Sequence, residues 1–436
     1  MSAVQKTVPL GADTRCFLFL QGPHGPYFSQ LAKMLRAAGA TTWRVAFNAG
    51  DAAFWHGRGQ LIRFDRPQDA WPNAFREIVA EKGITDIVLY GDTRPIHSEA
   101  IAIARGLRLR IHVFEEGYLR PYWITYERDG SNGNSRLMDL SVQEMRTALD
   151  QHEVDTIEAP AIWGDMRQHV FYGALYHFHV MFRNRRYRHF KPHRALPVER
   201  EFKLYLKRLL LMPFLALDRI QAQGRIKRGG FPYHLVLLQL EHDSSFQYHS
   251  PFSSMTEFVE IVLTGFATGA PRHHHLVFKT HPLEDERKPL RRLVQARAQE
   301  LGVADRVHFV RGGKLAQLLD QARSAVTVNS TAAQQVLRRG LPLKAFGDAV
   351  FAKPEFVSSQ PLTDFFATPH RPDNRAYKDF RAYLLETSQV AGGYYSVQGR
   401  RQLLRQVPDM MLAPLDPYAA LASGQAAPRH RLSLIT

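Results

Sequence analysis

Short apolar runs alternate with segments of helical spacing along most of this chain. Residues 15–20 (RCFLFL) read as a buried first strand, 21–26 (QGPHGP) as a tight glycine-rich turn, and 27–38 as a helix with Phe28, Leu31 and Leu35 on one face. Further strands are predicted at 42–47, at 86–90 (DIVLY, ending at Gly91 and Asp92) and at 110–114, with a helix over about 97–105. Strands separated by helices predict a parallel, doubly wound sheet.

A second alternation begins at Tyr233. Residues 234–240 (HLVLLQL), 275–279, 306–310 and 325–328 read as strands. Residues 255–266, 286–300, 314–321 and 330–338 read as helices, the last with a Ser/Thr cap. Between the two alternations, from about 154 to 230, the pattern is helical, aromatic and strongly basic, and 224–230 (GRIKRGG) reads as a linker. One more helix and a polar, alanine-rich stretch lie beyond Arg400, and no fixed period repeats. The expected fold is α/β and GT-B-like: two doubly wound Rossmann-like domains facing a cleft, with a basic helical insert. The expected boundaries are 1–225 for an N-terminal acceptor-side domain carrying the insert (about 154–225), 230–400 for a C-terminal donor-binding domain, and 401–436 for a C-terminal helix and tail.

The length of 436 residues fits two domains, and 45% hydrophobic with 22% charged residues is ordinary for a globular protein. The net charge of +16 is not ordinary. It points to an anionic partner: nucleic acid, an acidic membrane face or an acidic substrate. The single cysteine, Cys16, sits on an apolar run, so a disulfide framework is excluded and a reducing compartment is expected. The first residues lack a signal pattern. The longest apolar run, 209–217, contains Pro213 and is about half of what a spanning helix needs. The expected location is therefore the cytoplasm, or a membrane face without crossing it.

Candidate chemistry clusters at predicted strand ends, where ligands bind in open α/β sheets. Lys279, Thr280, His281 and Pro282 close one strand. The proline aims His281 out of the sheet end, and lysine with histidine suits a phosphate. Asn329, Ser330 and Thr331 lie between a strand and a helix, where hydroxyls and N–H groups either bind phosphate or cap the helix. Gln239, Glu241, His242 and Asp243 follow the first strand of the second unit, in position for donor contacts. Glu115 and Glu116 close the strand before Gly117. Adjacent strand residues point to opposite faces, so at most one of the two carboxylates faces the cleft, as nucleophile or base. The alternative is a salt bridge to Arg120 or to the basic surface. Thr125, Glu127, Asn132 and Asn134 flank or lie in a glycine-rich loop suited to an acceptor. Gln21, Gly22 and His24 belong to a turn without phosphate-loop spacing that shapes the cleft floor or meets the acceptor. His273, His274 and His275 are adjacent and diverge, with no acidic pair beside them, so no metal is expected. The basic aromatic span 167–228 suits an interfacial helix on anionic lipid, single-stranded nucleic acid, or a solvated helical bundle.

In order along the chain, FLFLQGP (17–23), FEEGYLRP (114–121), TYE (125–127) with DGSN (129–132), QLEHD (239–243), KTHP (279–282) and VNST (328–331) resemble the capsule polysaccharide biosynthesis and export proteins of the KpsS/LipB type. The resemblance spans roughly residues 15–360. It implies a retaining β-Kdo transferase that moves Kdo (3-deoxy-D-manno-octulosonic acid) from CMP-Kdo to a phosphatidylglycerol-type lipid. That step would start the linker of a capsular polysaccharide. It implies a peripheral protein on the inner face of the cytoplasmic membrane, beside other capsule assembly proteins, with no cofactor, no metal and no nucleic acid. Residues 230–400 would bind the CMP-sugar through Lys279, His281, Pro282, Asn329, Ser330, Thr331, Gln239 and Asp243. The acceptor would meet Gln21, Gly22, His24, Arg120 and Asn132. Related Kdo transferases carry Glu-Asp-Gly where this chain has Glu115, Glu116 and Gly117, so Glu116 replaces the Asp and Glu115 stays beside it as a catalytic candidate. The alternatives are a non-catalytic capsule export or scaffold protein and a GT-B transferase using another nucleotide sugar.

Overall fold

A computed structural model describes residues 15–57, 60–150, 166–190, 198–282, 284 and 287–426. The chain divides into two compact units, each drawn from separate stretches. Residues 1–114, 163–191 and 392–413 form the first, and 115–162, 192–391 and 414–436 the second. The boundary expected at 225–230 thus falls inside the second unit, which also takes in 115–162.

The first unit is built on β1 (Cys16–Phe19), β2 (Thr41–Ala46), β3 (Leu61–Arg63), β4 (Asp86–Tyr90) and β5 (Arg110–Glu116). They pair in parallel in the order β5-β4-β1-β2-β3. Leu18, Val45, Ile87, Leu89 and Val113 are fully buried with Trp71 and Phe75, which is why β1 and β4 read as continuous apolar runs. Cys16 is a buried free thiol in this core.

In the second unit β6 (Trp123–Arg128) pairs antiparallel with a late strand, β12 (Gln389–Ala391). Its main sheet holds β7 (Tyr233–Leu237), β8 (His275–Lys279), β9 (Val307–Val310), β10 (Ala322–Thr327) and β11 (Leu343–Ala345), all parallel, in the order β11-β10-β7-β8-β9. The chain winds outward from β7 through β8 to β9, then returns to β10 on the other side. The topological switch point therefore lies between the carboxyl ends of β7 and β10. Helix Met255–Gly269 covers this sheet with Phe258, Val259, Val262, Leu263 and Phe266.

Several elements differ from expectation. Residues 224–230 are not a linker: helix Val198–Gly229 runs through them and through Pro213. Arg and Lys are good helix formers, and Lys227 and Arg228 complement the negative helix end. The helix stops at Gly230, whose φ of 62° suits the left-handed exit. The helix expected at 286–300 is Leu290–Glu300, and Glu286 lies outside the described residues. The helix expected at 330–338 is Ala333–Leu337, without a side-chain cap. Where one helix was expected beyond Arg400, the described residues after 396 form three short helices, Val397–Leu403, Val407–Leu412 and Pro417–Ala422. The short or late-pairing strands β3, β6, β11 and β12 were not expected. Residues 154–165 and 191–197 of the expected insert, and 427–436 of the tail, lie outside the described residues. Among the described residues no helix is long and apolar enough to cross a membrane.

Candidate active site

The switch point of the second sheet is closed by a reciprocal amide pair. Gln239 Nε2 donates to Asn329 Oδ1 at 2.8 Å, and the Asn329 backbone N–H donates to Gln239 Oε1 at 3.0 Å. Asn329 Nδ2 also donates to the carbonyls of Ser245 (2.7 Å) and His249 (3.0 Å). Both side chains are buried. Gln239 and Asn329, expected as donor contacts, have their amides engaged with each other and with backbone, so they hold the ends of β7 and β10 in register. Ser330 and Thr331 follow in a half-buried turn. Ser330 Oγ accepts the Ala332 N–H at 3.3 Å.

Lys279 ends β8 and is only 6% exposed. Its Nζ donates one hydrogen bond, to the Thr280 carbonyl at 3.3 Å, and no carboxylate meets it among the described residues. Burial alone pushes its ammonium down to about 8. The Thr280 side chain is spent on the loop, its Oγ1 accepting the Gly312 N–H at 3.0 Å. His281 follows half-buried and Pro282 is exposed.

The carboxylates emerge at the end of β5. Glu115 Oε1 accepts the Glu116 backbone N–H at 2.9 Å. Burial pushes the Glu115 carboxyl up to about 7, and the charges of Glu116 and Asp243 add to that while Arg120 opposes it. Glu115 thus lies in the field of Asp243, which precedes helix Ser244–His249. The Glu116 carbonyl accepts Thr125 Oγ1 at 3.2 Å. Exposed Arg120 turns back, its Nε donating to the Gly117 carbonyl at 3.2 Å. Gly117 has no room for a side chain, since a Cβ would meet the Trp123 carbonyl oxygen at 2.2 Å.

The glycine-rich loop is anchored from inside. Tyr118 donates its hydroxyl hydrogen to Glu127 Oε1 at 2.6 Å and accepts the Asn132 N–H at 2.6 Å, while Ser135 Oγ donates to Glu127 Oε2. Burial, and then the Glu127 charge, hold the Tyr118 phenol well above its ordinary value. Glu127 is fully buried, so it organises the loop rather than meeting a ligand. Asn132 reaches a recess that it shares with Tyr118, Ser245, Asn329, Thr331 and the segment 348–351. One expected acceptor residue and two expected donor residues therefore line the same recess. The segment Asp348 to Phe351 carries no motif and was not anticipated. It is placed by the Asp348 N–H, which donates to the His249 carbonyl at 2.8 Å.

Gln21, Gly22 and His24 belong to the first unit, whereas Arg120 and Asn132 belong to the second. Gln21 is buried, donating to Asp51 Oδ2 at 3.0 Å and accepting from Arg94 at 3.4 Å. A Cβ at Gly22 would strike the Phe28 ring at 2.4 Å, so close packing requires the glycine there. The His24 ring stacks on Tyr176 at 4.3 Å. Glu241, the neighbour of Asp243, is occupied by the Met255 N–H (3.0 Å) and by Lys288 (2.6 Å). The consecutive histidines diverge: His274 lies 3.1 Å from His234, and His275 lies 2.9 Å from His308.

The chain matches the family of capsule polysaccharide biosynthesis proteins over residues 85–395. It is 30% identical over 381 residues to the capsule polysaccharide export protein KpsS of Escherichia coli, covering 87% of this chain and 96% of that one. It is 31% identical over 389 residues to the capsule polysaccharide modification protein LipB of Neisseria meningitidis, covering 87% and 91%. Among solved structures, KpsC of Thermosulfurimonas dismutans, a β-Kdo 2,7 transferase, aligns over 91% of this chain and all of its own at 11% identity and a TM-score of 0.42.

Proposed function

This chain belongs to the capsule polysaccharide biosynthesis protein family, and on that premise we propose that it is a glycosyltransferase moving Kdo from CMP-Kdo to a phosphatidylglycerol-type lipid. It works on the inner face of the cytoplasmic membrane with other capsule assembly proteins, and starts the β-Kdo linker. The observation that carries the reading is Lys279, a buried ammonium at a strand end with no carboxylate against it among the described residues. An unpaired buried cation is costly until an anion completes it, and a donor with a single phosphate supplies that anion without a metal.

In the proposed reaction Lys279 and His281, with the hydroxyls of Ser330 and Thr331, hold the phosphate. A carboxylate oxygen of Glu116 or Glu115 bonds to the anomeric carbon as the bond from that carbon to the phosphate oxygen breaks, and CMP leaves with the electron pair. The acceptor hydroxyl oxygen then bonds to the same carbon, the carboxylate departs, and the hydroxyl proton passes to a base. Glu115, pushed up to about 7, suits that last role, because a group poised near neutrality both takes and returns a proton. Two displacements retain the anomeric configuration.

The test is mass spectrometry of a fluorescent phosphatidylglycerol analogue after incubation with CMP-Kdo generated in situ. Wild type is expected to add one Kdo, and His281→Ala to add none. Transfer from a different nucleotide sugar, with none from CMP-Kdo, would overturn the donor. No gain on any lipid by folded protein would overturn the transferase.

A further inference from the structure

The first unit carries a helix with its polarity turned outward. On the inner side of helix Met166–Phe182, the Tyr176 hydroxyl accepts from Asn48 Nδ2 at 2.8 Å, and the Tyr172 hydroxyl accepts from Arg400 at 3.5 Å. Beyond Arg167 and His169 in the first turn, the outer side is apolar. Val170, Phe171, Phe178 and Phe182 are 61, 59, 46 and 67% exposed. Phe171, Ala174, Phe178 and Phe182 step by three or four residues and so form one continuous stripe. Single exposed hydrophobics need no explanation, but a stripe several turns long does.

Charge identifies what covers it. Residues 166–190 contain five arginines and no acidic residue. Arg167 stands at one end of the stripe, and exposed Arg183, Arg185, Arg186 and Arg188 follow the other. The Arg183 guanidinium lies 5.9 Å from the centre of the Phe178 ring. Aromatic side chains bordered by cations, with no carboxylate within residues 166–190, match the acyl boundary and the headgroups of an anionic bilayer. A protein partner would have to be strongly acidic around an apolar centre to fit equally well.

We propose that helix Met166–Phe182, with the arginine run after it, docks this protein onto an anionic phospholipid bilayer by laying the Phe171, Phe178 and Phe182 stripe in the interface. The helix is braced for that load by Tyr172 and Tyr176. The His24 ring, stacked on Tyr176, belongs to the turn expected to meet the acceptor, so docking sets that turn at a fixed distance from the headgroups. The inference deepens the proposed function and rests on it for the choice of a lipid. Vesicle binding needs no sugar donor, so the two readings fail separately.

The experiment is co-sedimentation of the full chain with phosphatidylcholine vesicles, with and without phosphatidylglycerol, across a salt series. Wild type is expected to bind the phosphatidylglycerol vesicles and to weaken as salt rises. The triple variant Phe171→Ser, Phe178→Ser, Phe182→Ser is expected to lose about a hundredfold in affinity. Neutralising Arg183, Arg185 and Arg186 to Gln is expected to cost about fivefold for each. Ile261→Ser, which alters an exposed apolar residue on another helix, should bind as wild type does, and unchanged circular dichroism would show that the variants fold. Equal binding by the serine variant, equal binding to vesicles lacking phosphatidylglycerol, or no wild-type binding would each overturn the proposal.

Discussion

Replacing Lys279 with Met should make the unliganded protein more stable while abolishing its response to CMP. Lys279 is 6% exposed, and burial moves its ammonium from 10.5 down to about 8. At about 1.4 kcal/mol per pH unit, that displacement sets roughly 3 kcal/mol against the charged form in the fold. The unfolded chain keeps this proton up to about pH 10.5, whereas the folded chain releases it near 8. The contribution of Lys279 to stability is therefore lowest below pH 8 and rises between about 8 and 10.5. Methionine keeps the unbranched shape and fills the same space. Urea denaturation at neutral pH should show Lys279→Met more stable by about 2–3 kcal/mol, with the alkaline rise gone. CMP at about a hundred times its dissociation constant should stabilise wild type by about 2.7 kcal/mol and leave the variant unmoved. A variant less stable than wild type at neutral pH would mean that the lysine is paired in the fold. Equal stabilisation of both proteins by CMP would mean that the phosphate lies elsewhere. Either result refutes the reasoning.

Three other outcomes follow from the same geometry. Glu115, pushed up to about 7, binds more protons folded than unfolded above its ordinary 4.5, so its contribution to stability is lost as pH rises through about 7. Glu115→Gln should match wild type in acid and exceed it in denaturation at about pH 8, while losing transfer. Gly117→Ala should cost about 3 kcal/mol in denaturation, because its Cβ would press on the Trp123 carbonyl oxygen; an unchanged midpoint would mean that the turn yields. Burial lowers His234 to about 3 and His274 to about 4, so the folded state takes up fewer protons than the unfolded below 6.5, and stability falls as pH drops from there. His234→Gln should flatten that acid limb in denaturation measured across the same pH window.

The strands β1, β4, β7 and β8 are legible in the sequence because they are buried on both faces and so appear as unbroken apolar runs. The three-residue strands β3, β11 and β12 are not, because so few residues carry no period. The GRIKRGG segment shows how composition misleads: glycine and charge look like a linker, yet the helix before it propagates to Gly229. The motifs at strand ends were visible as residue types, since a strand that ends in ionisable residues has few other uses for them. Their division of labour was not visible. Gln239 and Asn329 are 90 residues apart in sequence, and only the parallel pairing of β7 with β10 makes each the partner of the other. Asp348 to Phe351 has no distinctive composition and enters the recess through a backbone bond to His249.

By itself, then, the sequence determined the alternation of strand and helix, the excess of positive charge, and the motifs that place this chain among capsule polysaccharide biosynthesis proteins. These are local or summed properties. The tertiary structure decided that Glu115 lies in the field of Asp243, which lysine is buried with no counter-charge among the described residues, and which face of helix Met166–Phe182 is left to solvent. Each of those depends on the distance and burial of groups far apart in the chain, and electrostatic and hydrophobic energies are set by that distance and burial rather than by residue type.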